Sequence, residues 1–97
     1  VTATFEINGA VKKISGSAVS YFDSIQDAYD AASNGDSIQI QETTLYEPTI
    51  NFNVPDRQVN VQGGYDPEFS SQNGLTTVFG QLIISNGTAI LENLVLQ

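Results

Sequence analysis

Eleven Asp and Glu residues against three Lys and Arg, with no His and no Cys, restrict the chemistry open to this 97-residue chain to carboxylates, three basic side chains, hydroxyls, amides and aromatic rings. A thiol nucleophile, an imidazole base, the usual zinc sites and a disulfide framework are excluded. Carboxylates can still hold Ca²⁺ or divide acid and base roles between two groups. A Ca²⁺ loop needs several of them within a few residues, often beside a glycine that turns the chain sharply. The nearest approaches are Asp36 beside Gly35, the segment from Glu42 to Glu47, and Asp66-Pro67-Glu68 after Gly63-Gly64. None has EF-hand spacing or a glycine-aspartate nonapeptide repeat, so they read first as solvating carboxylates and no metal is assigned. Asp66 and Glu68 are the pair a Ca²⁺ site would use.

The other chemically capable residues also have plainer readings. Arg57, the single arginine, sits in the turn sequence VPDRQ beside Asp56 and reads as a solvated turn pair. Lys12 and Lys13 read as solvated charges, and Asp23, Asp27 and Asp30 as one polar helix face. Of the four tyrosines, Tyr29 falls on an apolar helix face, whereas Tyr46 and Tyr65 fall on turns and are the candidates for an exposed stacking platform. Asn86-Gly87-Thr88 matches a glycosylation acceptor but reads as a turn first. No catalytic residue and no cofactor is assigned.

The formal charge of −8 removes the counterion-release attraction behind nucleic-acid binding and opposes anionic lipid. No apolar run is long enough to insert in a membrane. With 40% hydrophobic residues, the chain supports one core and hence a single domain over residues 1–97. Val1 in a chain without Met points to a processed product or a piece of something longer.

The elements follow from periodicity. Thr2 to Asn8 alternates as a strand, and Asn8-Gly9 suits a hairpin returning through Val11 to Ile14, with a flexible serine-glycine connection to residue 20. From Asp23 to Ser33 the period becomes helical, with Phe22, Ile25, Ala28, Tyr29 and Ala32 on one face. Asp23 or Ser24 caps it and Asn34-Gly35 ends it. Short strands follow at 37–41, 49–52, 59–62, 77–79, 81–85 and 89–96. Ile38 to Val59 spans 21 residues and Val59 to Leu82 spans 23, a spacing that suits stacked coils better than a sandwich with regular two-residue turns.

The run FDSIQDAYDAASNGDSIQIQ, followed by LYEPTINF, VNVQGGYDP, TTVFGQLIIS and AILENLVL, resembles the N-terminal portion of right-handed parallel β-helix proteins of the pectin-lyase-like group. The positions that carry the likeness are Ala32, Ser33, Gly35, Asp36, Tyr46, Glu47, Gly63, Gly64 and Gly80, and it covers residues 21 to 97. It implies a mainly-β fold: a short right-handed parallel β-helix of two to three coils (37–97), an amphipathic capping helix (21–36) and a preceding hairpin (1–20). It also implies a secreted or surface-exposed bacterial protein, located outside the cell, on its surface or in the periplasm.

Polysaccharide lyases of that group use Ca²⁺-holding carboxylates with an Arg or Lys base, and hydrolases of the fold use clustered Asp. Three coils at about 4.8 Å each stand roughly 15 Å tall, too short for a groove gripping several sugars. The expectation is therefore a non-enzymatic structural, adhesion or display module. Its alternative is a fragment of a carbohydrate-active enzyme, or a carbohydrate-binding module, acting on acidic polysaccharide. Because AILENLVLQ ends on apolar strand residues, self-association through residues 89–97 is expected as well.

Overall fold

Gly16 turns the first described hairpin. A computed structural model describes residues 9–97. In it β1 (Val11–Ser15) pairs antiparallel with β2 (Ala18–Phe22), and Ser15 lies opposite Ala18. Only Gly16-Ser17 connects them, and Gly16 takes φ 62°, the glycine-first pattern of a tight II′-type turn. The serine-glycine stretch expected to be a flexible connection is thus a hairpin turn. The strand expected at Thr2 to Asn8 lies outside the described residues.

Helix α1 (Ile25–Ala31) is shorter than its apolar period suggests. Ser24 caps it, its Oγ accepting from the Asp27 N–H at 3.1 Å, and Ala32 is already extended. Ile25, Ala28 and Tyr29 are buried, as is Ala32 just beyond the helix, while Asp23, Asp27 and Asp30 face solvent.

Six strands follow: β3 (Ser37–Gln41), β4 (Thr44–Phe52), β5 (Gln58–Tyr65), β6 (Thr76–Ile84), β7 (Thr88–Glu92) and β8 (Leu94–Leu96). They assemble into two sheets, a five-stranded one ordered β2-β1-β3-β5-β7 and a three-stranded one ordered β4-β6-β8. Pairing is parallel from β3 through β5 to β7 and throughout the smaller sheet, but β1 pairs antiparallel with both β2 and β3.

This arrangement overturns the expected right-handed parallel β-helix. The described residues form a small mainly-β globule of one mixed and one parallel sheet, with no solenoid and no closed helix. The hairpin joins the sheet beside β3, so the larger sheet cannot be a uniform parallel stack. The spacing of about twenty residues has a simpler origin: the chain crosses from one sheet to the other and back, placing parallel neighbours side by side. A radius of gyration of 13.1 Å is close to the ~12.5 Å expected of a compact domain this long. No helix among the described residues is long and apolar enough to cross a membrane.

Strand alternation sends Ile38, Ile40, Ile50, Phe52, Val59, Val61 and Val78 into the space between the sheets, where they are buried with Val11 and the helix face. Tyr29 stacks on Phe52, ring centroids 4.1 Å apart and nearly parallel, and its hydroxyl accepts from the Val54 N–H at 3.0 Å. The tyrosine thus buries its ring without orphaning its polar end.

Candidate functional site

Several of the chemically capable residues are engaged in holding the fold. Glu47, half-buried on β4, accepts from the N–H groups of Ile25 (2.7 Å) and Gln26 (3.3 Å), two donors at the helix start that have no partner within the helix. Gly80 on β6 makes room for this: a Cβ there would collide with the Glu47 carbonyl, and the β4–β6 register shifts at this point. The side chain of Gln26 donates to the Asn51 carbonyl at 3.0 Å and accepts from the Asn51 N–H at 2.6 Å. One amide side chain thereby occupies the edge of β4 as a neighbouring strand would.

Arg57 is not the solvated partner of Asp56. Its guanidinium donates to the Tyr29 carbonyl in the last turn of α1 at 2.7 Å and lies 5.0 Å from the Tyr29 ring centroid. A cation at a helix C-terminus meets the negative end of the dipole, and the ring face adds to that attraction. An open polar cleft of about 470 Å³ lies beside it, lined by Asn34, Asp56, Arg57, Asn86 and Thr88 among others. Asn34 Oδ1 accepts from the Gln58 N–H and Asn86 Nδ2 donates to the Asn53 carbonyl, so these amides brace the turns that form its walls.

Lys13 also departs from the solvated reading. It points inward, with Nζ 3.8 Å from the buried carboxylate of Asp36, whose Oδ2 also accepts from the Ser33 N–H at 2.7 Å. Lys12 lies over the Phe69 ring at 5.4 Å.

Asp66 is engaged within its own turn. Asp66 Oδ1 accepts from the N–H groups of Glu68 and Ser70, and Oδ2 from the Ser70 hydroxyl at 2.7 Å. The Ser70 hydroxyl, followed by the backbone N–H of Ser70, holds the Asp66 carboxyl below its ordinary value of 3.8. These bonds tie a turn, and Glu68 itself is exposed. Among the described residues no group of three His, Cys, Asp or Glu is placed to hold a metal.

The two candidate tyrosines lie on strands and in different settings. Tyr65 is half-buried at the end of β5; its hydroxyl bonds to Gln39 (3.3 Å) and Gln62 (3.5 Å), and its ring leans on Phe69. Tyr46 is 76% exposed on β4 and stacks on Phe79, its partner on β6, with centroids 5.3 Å apart and planes 10° from parallel. Phe79 lies opposite Tyr46 only because β4 and β6 are parallel in this register, so spacing along the chain could not pair them.

The other uncommitted surface is the end formed by β7 and β8. Register places Leu82 and Ile84 beside buried Ile50 and Phe52, Ala89 and Leu91 beside buried Val59 and Val61, and Leu94 and Leu96 beside buried Thr76 and Val78. These residues continue the core by one more layer, which nothing among the described residues covers. Ile84, Leu91 and Leu96 are each at least 40% exposed as a result. Among the described residues neither outermost strand, β7 or β8, has a strand neighbour on that side.

No protein family, curated protein or solved structure matches the chain. The resemblance to pectin-lyase-like proteins therefore rests on the quoted residues alone, and nothing found supports secretion, adhesion or a pectin-lyase-like character.

Proposed function

We propose that this chain is a non-catalytic structural module that acts through its surfaces. The observation that carries this reading is the allocation of its charged side chains. Glu47, Arg57, Asp36 with Lys13, and Asp66 each complete the hydrogen bonding of a helix end, a buried turn or a loop. A carboxylate or cation engaged in this way is not free to take up or deliver a proton to a substrate. Incubation with neutral and acidic polysaccharides, with and without Ca²⁺, is expected to yield no shortened or unsaturated product. Either product, formed at a rate that scales with protein, would overturn the reading.

A carbohydrate-binding role is a second reading, favoured by the stacked Tyr46–Phe79 pair. Residues of the same sheet around it, Thr44, Thr77 and Gln81, are uncharged hydrogen-bonding groups. With a net charge of −8, this surface suits a neutral glycan better than an acidic one. Glycan-array binding lost on Tyr46→Ala would support it; equal binding by both proteins would remove it.

A further inference from the structure

We infer that Asn86 is a site of spontaneous covalent modification: the amide nitrogen of Gly87 attacks its side chain, water opens the resulting succinimide, and the product loosens the link between β6 and β7.

The sequence Asn-Gly occurs three times wholly within the described residues, at Asn34-Gly35, Asn73-Gly74 and Asn86-Gly87. A fourth pair, Asn8-Gly9, begins outside them. A glycine without Cβ leaves its amide nitrogen open to the preceding side chain, so the three pairs share the same local chemistry. Exposure does not rank them, since all three asparagines are exposed. What differs is the glycine N–H, whose nitrogen must give up its proton to become the nucleophile.

The Gly35 N–H donates to the Gln58 carbonyl at 2.7 Å while Asn34 Oδ1 accepts from the Gln58 N–H at 2.8 Å, so both reacting groups are held by one residue. The Gly74 N–H donates to the Gly64 carbonyl at 3.0 Å. The Gly87 N–H has no acceptor among the described residues. The Asn86 side chain is held there only by a long bond, from Nδ2 to the Asn53 carbonyl at 3.4 Å. The turn itself demands the residue that makes Asn86 labile: Gly87 takes φ 78°, and a Cβ on it would strike the Arg57 carbonyl.

In the first step Gly87 N bonds to Asn86 Cγ, the Cγ–Nδ2 bond breaks, and Nδ2 leaves as ammonia with the proton given up by Gly87. Water adding at Cγ then restores the normal backbone as aspartate. Water adding at the backbone carbonyl carbon leaves the chain running through Cγ, as isoaspartate with one additional backbone carbon. Either product sets a carboxylate where Nδ2 had donated to the Asn53 carbonyl. In the isoaspartyl form the added carbon also falls between two bonds that fasten this link. These run from the Ser85 N–H to the Phe52 carbonyl at 3.0 Å and from the Thr88 N–H to the Arg57 carbonyl at 2.9 Å. A longer backbone between them works against holding both at once.

The test is prolonged incubation of the folded chain at mildly alkaline pH, with peptide mapping by mass spectrometry and each asparagine's rate divided by its own rate in urea. Asn86 is expected to react at close to its unfolded rate. Asn34 and Asn73 are expected to fall about tenfold or more below theirs, because a bonded amide must open before it can attack. Isoaspartyl protein isolated by ion exchange should show faster amide exchange at Thr88 than the unmodified chain, with Val61 unchanged. Asn86→Gln, whose longer side chain closes the ring far less readily, should keep a constant Thr88 exchange rate throughout the incubation. Protection of Asn86 equal to that of Asn34 and Asn73, or unaltered Thr88 exchange in the isoaspartyl form, would overturn the inference.

Discussion

The two ends of the stacked strands treat the same physical problem in opposite ways. At the first end, β4 and the layer holding Ile50 and Phe52 lie beneath α1: Glu47 receives the helix start, Gln26 bonds the strand edge, and Tyr29 lies on Phe52. At the second end, β7 and β8 carry a layer of the same side-chain character, with nothing over it among the described residues. Phe52 is 1% exposed, and Ile84 beside it in register is 43% exposed. A parallel strand pair specifies its next layer equally well in both directions. Burial is decided by whether a covering element follows, and here one seven-residue helix covers one end.

The largest expected effect comes from the layer under the helix. Phe52→Ala should destabilise the protein by about 3–5 kcal/mol in urea denaturation, the usual cost of emptying a buried aromatic position. Ile84→Ala, one strand over, should cost under about 2 kcal/mol because much of that side chain is already in water. Equal losses would erase the distinction between the ends. Glu47→Ala removes the acceptor for two helix N–H groups and should cost about 1–2 kcal/mol, with loss of helical signal. Gln26→Ala should cost about 1 kcal/mol and speed amide exchange at Asn51, by exposing the edge that the side chain now occupies.

The smallest effect concerns the 66–75 loop, away from both ends. Because the Asp66 carboxyl is held below its ordinary value, its contribution is complete above that value and is lost as pH falls through the lowered folded-state one. The protection factors of the Glu68 and Ser70 amides, which donate to that carboxylate, should therefore hold at neutral pH and fall only in acid. In Asp66→Asn this acid-induced step should vanish.

Much of this structure was legible from residue order, for identifiable reasons. The helix face and the buried Ile38, Ile40, Ile50, Phe52, Val59 and Val61 follow from periods of 3.6 and 2, which are local signals. Strand ends were harder to place: β6 runs unbroken through Gly80, where two short strands were expected, because glycine allows the close approach of Glu47. The stretch expected as one strand at 89–96 divides at Asn93, which adopts φ 53°.

The fold class was misjudged for a related reason. Twenty-residue spacing reports that the chain returns to a sheet, not that it winds into a closed coil, and the antiparallel place of β1 beside β3 depends on contacts between Val11 and Ile40 that no spacing encodes. The roles of Glu47, Gln26 and Arg57 were hidden in the same way, since each bonds a partner more than twenty residues away. Tyr46 was legible as an exposed aromatic; its stacking partner Phe79 was not.

At one end of the stacked strands the layer of β4 lies under α1, and at the other the layer of β7 and β8 has no cover among the described residues. Amide hydrogen exchange tests this difference most directly. The expected result is slow exchange along β4 and ready exchange along β7 and β8. Equal protection of β4, β7 and β8 would contradict it.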